Sequence, residues 1–293
     1  MKRIKYIIRK RALGDVLWIE PIIRALSAQY KSLVVYTKYN DLFENYPFKN
    51  VIFKHKLSFF EKCLVALEKK MHTNYLSINL EGAYEKHPLI HFLNAYQLEA
   101  GLPQTREYPK IYLSEAEKTL KKFNHQYVVL HLESFSDRSY RQIYGIDWNE
   151  VVTYLKTQGS TVVQIGLKGA KLEGTTYTST SIRELISLIY HSSLFIGIDS
   201  GPSHIAASLG VNTITFFGAI NPLLRHFPEL LNGVMMKQPC ETFNCHHGGY
   251  DTSFLTCQAL NDSGVPACCM YKTEDVILKI EELLKRNARK IYQ

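Results

Sequence analysis

The stretch FIGIDSGPSHIAASLGVNTITFFG, Phe195 to Gly218, decides the fold. Leu194 to Ile198 is a short apolar run of the kind expected of a strand buried on both faces, Ile205 to Leu209 continues as helix and stops at Gly210, and Thr213 to Phe217 reads as a second strand. Strand, polar turn, short helix and strand make a βαβ unit. The turn Asp199-Ser200-Gly201-Pro202-Ser203-His204 lies where backbone N–H groups at a helix N-terminus can receive an anion, and a phosphate is the first expectation.

The rest of the chain repeats this plan. Ile4 to Ile8 reads as a strand, and Val16, Ile19, Ile23, Leu26 and Tyr30 recur at gaps of three and four, which marks one face of a helix. Pro21 sits inside that helix and predicts a kink or a change of axis. Leu33 to Thr37, Val51 to Lys54 and Tyr75 to Asn79 are further strands, and Leu89 to Ala100 is a helix stopped by Gly101 and Pro103. From Pro109 to Gln126 the pattern changes: Ser114 with Glu117 forms a capping box before a lysine-rich helix. Strands then return at 127–132, 161–165, 194–198 and 213–217, with helices at 148–157, 182–191, 202–209 and 274–286. The predicted fold is α/β, with two Rossmann-like domains, residues 1–118 and 119–293, facing a central cleft.

Composition excludes several classes. With 46% hydrophobic and 21% charged residues the chain has the make-up of an ordinary globular protein. No apolar run approaches the ~18 residues needed to span a bilayer. Arg9, Lys10 and Arg11 stand where a signal peptide needs its apolar core, so a cytoplasmic location is expected. A formal net charge of +8 favours acidic partners without choosing among them. No zinc-finger spacing, RNP-like aromatic signature or long basic stripe is present, which argues against nucleic acid. No G-x-G-x-x-G follows the first strand, which disfavours a nicotinamide-dependent oxidoreductase.

A second stretch, RALGDVLWIEPIIRAL, Arg11 to Leu26, also follows a strand. Taken with the first, it resembles the lipopolysaccharide heptosyltransferases, glycosyltransferase family 9. Their N-terminal domain carries Gly-Asp before an apolar helix with an internal proline. Their C-terminal domain carries Asp-(Ser/Thr)-Gly-x-x-His-x-Ala-Ala and then a strand ending in Phe-Gly. Gly14, Asp15 and Pro21 match the first pattern; Asp199, Ser200, Gly201, His204, Ala206, Ala207, Phe217 and Gly218 match the second. The resemblance implies a GT-B fold, a nucleotide sugar held mainly by the C-terminal domain, ADP-heptose first among candidates, and inverting transfer to an acceptor held by the N-terminal domain. It implies no metal ion or other cofactor in catalysis, and Gly14 and Gly218 as backbone at the cleft.

In the absence of a catalytic metal, the leaving diphosphate is to be neutralised by protein. The turn at Asp199, Ser200, Gly201, Pro202, Ser203 and His204 offers oriented N–H groups, a glycine that admits close approach and side-chain donors. As an anion, Asp199 fits the turn's N–H groups or sugar hydroxyls better than a phosphate. A second reading remains: Asp199 or Ser200 caps the helix and His204 packs on it. For Asp15 the two readings are a base that takes the acceptor's proton and a helix cap. In ESFSDRSYRQIYGIDW, Glu133 to Trp148, relatives often place a serine and a cation on the donor phosphates, which nominates Ser134, Arg138 and Arg141; a solvated loop is the alternative. Lys168 is a weaker candidate, and Glu20 and Glu133 have no assigned role.

Cys240, Cys245, Cys257, Cys268 and Cys269 crowd one segment beside His246 and His247, while Cys63 stands alone. The C-x4-C-x11-C-x10-C-C spacing admits a structural zinc or iron, disulfides or free thiols. Some relatives that glycosylate proteins resemble this chain in having a cysteine cluster in this region, and theirs holds iron. The function expected is transfer of heptose to a phosphorylated or lipid-linked surface-glycan acceptor at the inner face of an anionic membrane. The rivals are another nucleotide sugar, a protein acceptor, or a non-catalytic protein that binds sugar nucleotides.

Overall fold

The computed structural model describes residues 2–71, 76–133, 141–167, 170–240 and 260–291. The chain divides into two compact units, Met1–Ser114 and Glu115–Gln293. Ser134, Arg138, Lys168, Cys245, Cys257, His246 and His247 lie outside the described residues.

In the first unit the elements are β1 (Lys2–Ile8), α1 (Leu13–Leu17), α2 (Glu20–Ser27), β2 (Tyr30–Tyr36), β3 (Val51–Lys54), α3 (Phe59–Lys70), β4 (Ser77–Asn79), α4 (Ala83–Lys86) and α5 (Phe92–Glu99). The four strands form a parallel sheet in the order β3-β2-β1-β4. The single helix expected across Pro21 is two helices. Pro21 falls in the first turn of α2, where its missing N–H leaves no bond unmade, and α1 ends at Trp18. The break lets Trp18 enter the core, fully buried against Phe92 at 4.7 Å and His91 at 5.1 Å between ring centroids. α2 then buries Ile22, Ile23 and Leu26 on one face. Glu20, fully buried, accepts from Arg24 Nε at 3.0 Å, Tyr46 Oη at 3.3 Å and the Lys110 N–H at 2.9 Å, which makes it a structural tie.

The second unit contains α6 (Glu115–Thr119), β5 (Tyr127–His131), α7 (Trp148–Thr157), β6 (Thr161–Ile165), β7 (Thr176–Thr178), α8 (Ile182–Tyr190), β8 (Leu194–Ile198), α9 (Gly201–Ser208), β9 (Thr213–Phe217), β10 (Gly233–Lys237) and α10 (Thr273–Ile291). Its parallel sheet runs β10-β9-β8-β5-β6-β7. β5, β8 and β9 are buried at every residue, as their unbroken apolar runs require of strands covered on both faces. β7 and β10 are the edges, half-exposed and without such runs, and were not legible as strands. Glu133 at the end of β5 accepts the Leu167 N–H at 2.7 Å. Gly166 makes room for it, since a Cβ there would lie 1.9 Å from Glu133 Oε1.

Each sheet reverses its strand order at one place: between β1 and β4 in the first unit, and between β5 and β8 in the second. At such a switch point the connections leave to opposite faces and open a crevice beyond the carboxyl ends of the strands. Both motifs of the sequence fall at these two ends.

Candidate functional site in two parts

In the second unit the switch point is closed by His131, the last residue of β5, and by the turn after β8. Ser200 starts α9. The Ser203 hydroxyl, fully buried, accepts the Ser200 N–H at 3.1 Å and donates to the Ser200 carbonyl at 2.7 Å, so it holds the turn rather than facing outward. Ser200 Oγ lies 3.1 Å from both the Ile198 carbonyl and His131 Nδ1. The carbonyl only accepts, so with both bonds made the serine proton goes to Ile198 and His131 Nδ1 carries a proton to give to Ser200. Burial pushes His131 down to about 4, consistent with a neutral ring. Sequence reasoning missed His131 because it looks like the tail of an apolar strand.

Asp199 is buried. His204 Nε2 lies 3.4 Å from its Oδ1 and an Arg141 guanidinium nitrogen 4.0 Å from its Oδ2. Burial alone would raise the Asp199 carboxyl, but His204, Arg225 and Arg141 outweigh it and hold the group well below the usual carboxylate range. His226 stacks on His204 at 4.8 Å and 25°, and burial, followed by the charge of His204, drives it well below an ordinary histidine. Arg225 is buried beside the group and acts on both Asp199 and His226. Neither Arg225 nor His226 belongs to a motif visible in sequence.

Asp199, His204 and His226 bring ligand atoms within 4.8 Å of one another. A metal does not suit them. Imidazole lone pairs lie in the ring planes and must converge on the ion, whereas two rings stacked nearly parallel send theirs side by side. The cluster is better described as an anion surrounded by cations, with the N-terminus of the eight-residue α9 beside it.

In the first unit Asp15 is the third residue of α1, whose N-cap is Ala12, so it is not the cap of its helix. Arg9, buried after β1, clamps it: one guanidinium nitrogen lies 2.5 Å from Asp15 Oδ2 and the other 3.0 Å from Glu81 Oε2. Glu81 also accepts the Lys10 N–H at 2.5 Å. The Tyr84 and Tyr96 rings each lie 5.9 Å from the guanidinium carbon. Ala12 adopts φ +63°, a conformation an L residue holds only when its surroundings impose it. Gly14 is buried in the same turn of helix. Beside this clamp, a cavity of about 690 Å³ lies at the β1/β4 switch point. Lys10, Arg11 and Lys62 bring cations to it, Leu57 and Val65 form an apolar wall, and Glu81 links it to Arg9. In the second unit Gly218, after β9, accepts a hydrogen bond from Lys237 Nζ through its carbonyl.

Residues 73–234 match the family model described as glycosyltransferase family 9 (heptosyltransferase). The chain belongs to that family. It is 33% identical over 114 residues to lipopolysaccharide heptosyltransferase 3 of Escherichia coli K12, a match that covers 37% of this chain and spans 28% of that relative's length. Among solved structures it is similar to TibC, a bacterial iron-containing dodecameric glycosyltransferase of enterotoxigenic E. coli. The TM-score is 0.74 at 17% identity, over 97% of this chain and 77% of that one. TibC has also been solved as a heptosyltransferase in complex with ADP-D-β-D-heptose. The E. coli ADP-heptose heptosyltransferase II matches with TM-score 0.68 at 14% identity, over 98% of this chain and all of that one. The fold is therefore the GT-B α/β fold of the family 9 heptosyltransferases.

The family 9 core ends before the cysteine segment, of which Cys240, Cys268 and Cys269 are described. Cys268 and Cys269 sit buried in a short 3-10 turn with their sulfurs 3.8 Å apart. An S–S bond is about 2.05 Å long, so these two are not joined as a disulfide. Two thiolates on a tetrahedral ion with metal–sulfur bonds of about 2.3 Å stand about 3.8 Å from each other. A hydrogen bond from Cys269, aided by the Lys237 ammonium and by Cys240 against the effect of burial, lowers the Cys268 thiol to about 6. The pair therefore has the spacing a metal needs, and Cys268 the thiolate character. Its backbone is tied to the unit by the Tyr144 N–H to the Cys269 carbonyl at 2.9 Å and by Tyr271 Oη to the Phe217 carbonyl at 2.6 Å.

Proposed function

We propose that this chain is an inverting glycosyltransferase that moves heptose from ADP-heptose to a phosphorylated or lipid-linked bacterial surface-glycan acceptor, in the cytoplasm at the inner face of the membrane. The observation that carries this reading is the Asp199–His204 turn at the β5/β8 switch point, where Arg141, Arg225 and the α9 N-terminus gather positive charge around one carboxylate in a family 9 chain. In this reading the diphosphate lies against the N-terminus of α9, and Asp199 faces the sugar hydroxyls.

The acceptor hydroxyl oxygen bonds to the anomeric carbon from the face opposite the diphosphate. The bond from that carbon to the phosphate oxygen breaks, and ADP leaves with the electron pair. Asp15 takes the hydroxyl proton, held in place for this by Arg9. The leaving charge falls on the α9 N–H groups and the two arginines, with no metal acting in transfer. The cationic cavity at Lys10, Arg11 and Lys62 supports an acceptor that carries phosphate. Cys240, Cys268 and Cys269, with Cys245 and Cys257, would hold a structural zinc or iron.

The test compares wild type with Asp15→Asn. A base acting only on the acceptor proton contributes in the transition state, so donor affinity, read as the rise in melting temperature with ADP-heptose, should be retained while transfer falls ~10²- to 10⁴-fold. Unchanged turnover in Asp15→Asn would remove Asp15 as the base. Absence of both a melting shift and transfer with wild type would remove the reading.

A further inference from the structure

Helix α3 in the first unit is inverted relative to an ordinary surface helix. Its two glutamates point inward and are buried. Glu61 accepts from Lys54 Nζ and from the Ser58 N–H, each at 2.7 Å, and Glu68 accepts the Ser77 N–H at 2.6 Å and the N–H of Leu76. Leu64 and Val65 are half-buried, but four large apolar side chains on the helix or directly after it point outward: Phe59 is 84% exposed, Phe60 70%, Leu67 56% and Met71 62%. At about 100° per residue, Phe60, Leu67 and Met71 fall within about 40° of one another and form one stripe.

The charge around that stripe has one sign. His55, Lys56, Lys62 and Lys70 are exposed, and among the described side chains from His55 to Met71 no carboxylate is. Apolar stripes with a cationic border are what a helix lying in a lipid interface presents: aromatic and aliphatic groups enter the acyl boundary while lysines meet anionic headgroups. Two copies meeting through this face would bring their lysines together, which disfavours self-association. Lys62 and Val65, which line the cationic cavity, project from the other side of the helix, so docking through the stripe leaves that cavity open.

We propose that the outward face of α3, centred on Phe60, Leu67 and Met71, docks the protein onto an anionic lipid surface. This does not depend on the transfer reaction, because vesicle binding is read without donor or acceptor. The full chain should sediment with vesicles of phosphatidylcholine plus phosphatidylglycerol, weakly with phosphatidylcholine alone, and less as salt is raised. Phe60→Ser with Leu67→Ser should weaken binding ~tenfold or more, as expected when the buried apolar area is removed. Lys56→Glu with Lys70→Glu should abolish the preference for anionic vesicles, and these exposed lysines serve as the second variant if the first pair fails to fold. Failure of wild type to bind anionic vesicles, or equal binding by a folded variant of either kind, overturns the proposal. So does a dimer in light scattering that the Phe60→Ser, Leu67→Ser variant dissolves while vesicles are not bound, which would mark the face as an interface between copies.

Discussion

At the level of single residues, the decisive contact is Arg9 with Asp15. Asp15 stands out in the sequence because it follows Gly14 in a motif, but nothing in the sequence shows that a buried arginine six residues earlier holds it. Arg9 looks like part of the N-terminal basic run. Its fork spans Asp15 and Glu81, and two tyrosine rings flank it. Replacing Arg9 by methionine would leave two partly buried carboxylates facing each other without a cation. The expected cost is about 2 to 4 kcal/mol of stability, because the penalty comes from stranding the partners rather than from losing one bond. Arg9→Lys keeps the charge but not the two-pronged geometry and should fall between the two. Urea unfolding of the three proteins measures the stability. Transfer assays on those that stay folded should show turnover falling while donor affinity, which the proposed reading assigns to the other unit, stays put. A loss of stability below about 0.5 kcal/mol for Arg9→Met would mean that the clamp is not structural.

At the level of elements, the turn between β8 and α9 is bordered by two imidazoles whose burial keeps them neutral, His131 and His226. His131 titrates in the folded state at about 4, against about 6.5 in an unfolded chain. Between those values the unfolded chain binds the extra proton, so stability rises with pH across the window, is complete above it, and is lost as pH falls from about 6.5 towards 4. His131 alone contributes on the order of 3 kcal/mol over that span, and His226 acts in the same direction. The depressed Asp199 adds stability that is present above the unfolded carboxylate value and is lost only at still lower pH. Unfolding free energies at pH 7, 6 and 5 should therefore fall steeply for wild type and more gently for His131→Asn, and parallel slopes would refute the account. The same elements show what sequence can carry. The strands at 161–165, 194–198 and 213–217 were legible to the residue, because a strand covered on both faces is an apolar run with little to interrupt it; the edge strand at 51–54 was legible from its Val-Ile-Phe run alone. β7 and β10 were not, since an edge strand has one dry face and a short pattern. α3 was obscured because its buried face carries glutamates whose partners lie elsewhere in the chain.

At the level of the whole molecule, local motifs indicated two α/β units and the ends at which their sites lie, but not the partners that distant segments bring to those sites. Arg225, His226, Glu81 and His131 are separated in sequence from the residues they serve, and no spacing rule connects them. The cysteine segment is the opposite case, since its clustering is plain in sequence and its chemistry is decided by geometry. The Cys268 and Cys269 sulfurs stand 3.8 Å apart, well beyond an S–S bond of about 2.05 Å, and that separation suits two ligands of one tetrahedral ion. Protein purified under reducing conditions should contain about one zinc or iron per chain. Cys268→Ser with Cys269→Ser should remove the metal and lower the melting temperature, because a site that closes only in the folded chain contributes its binding energy to folding. The turn proposed to hold the donor is built from Asp199, His204, Arg141 and Arg225, none of them a thiol, so ADP-heptose should still raise the melting temperature of the metal-free variant. If wild type holds no metal by elemental analysis, the metal reading is overturned, and a chelator should then leave the melting temperature unchanged.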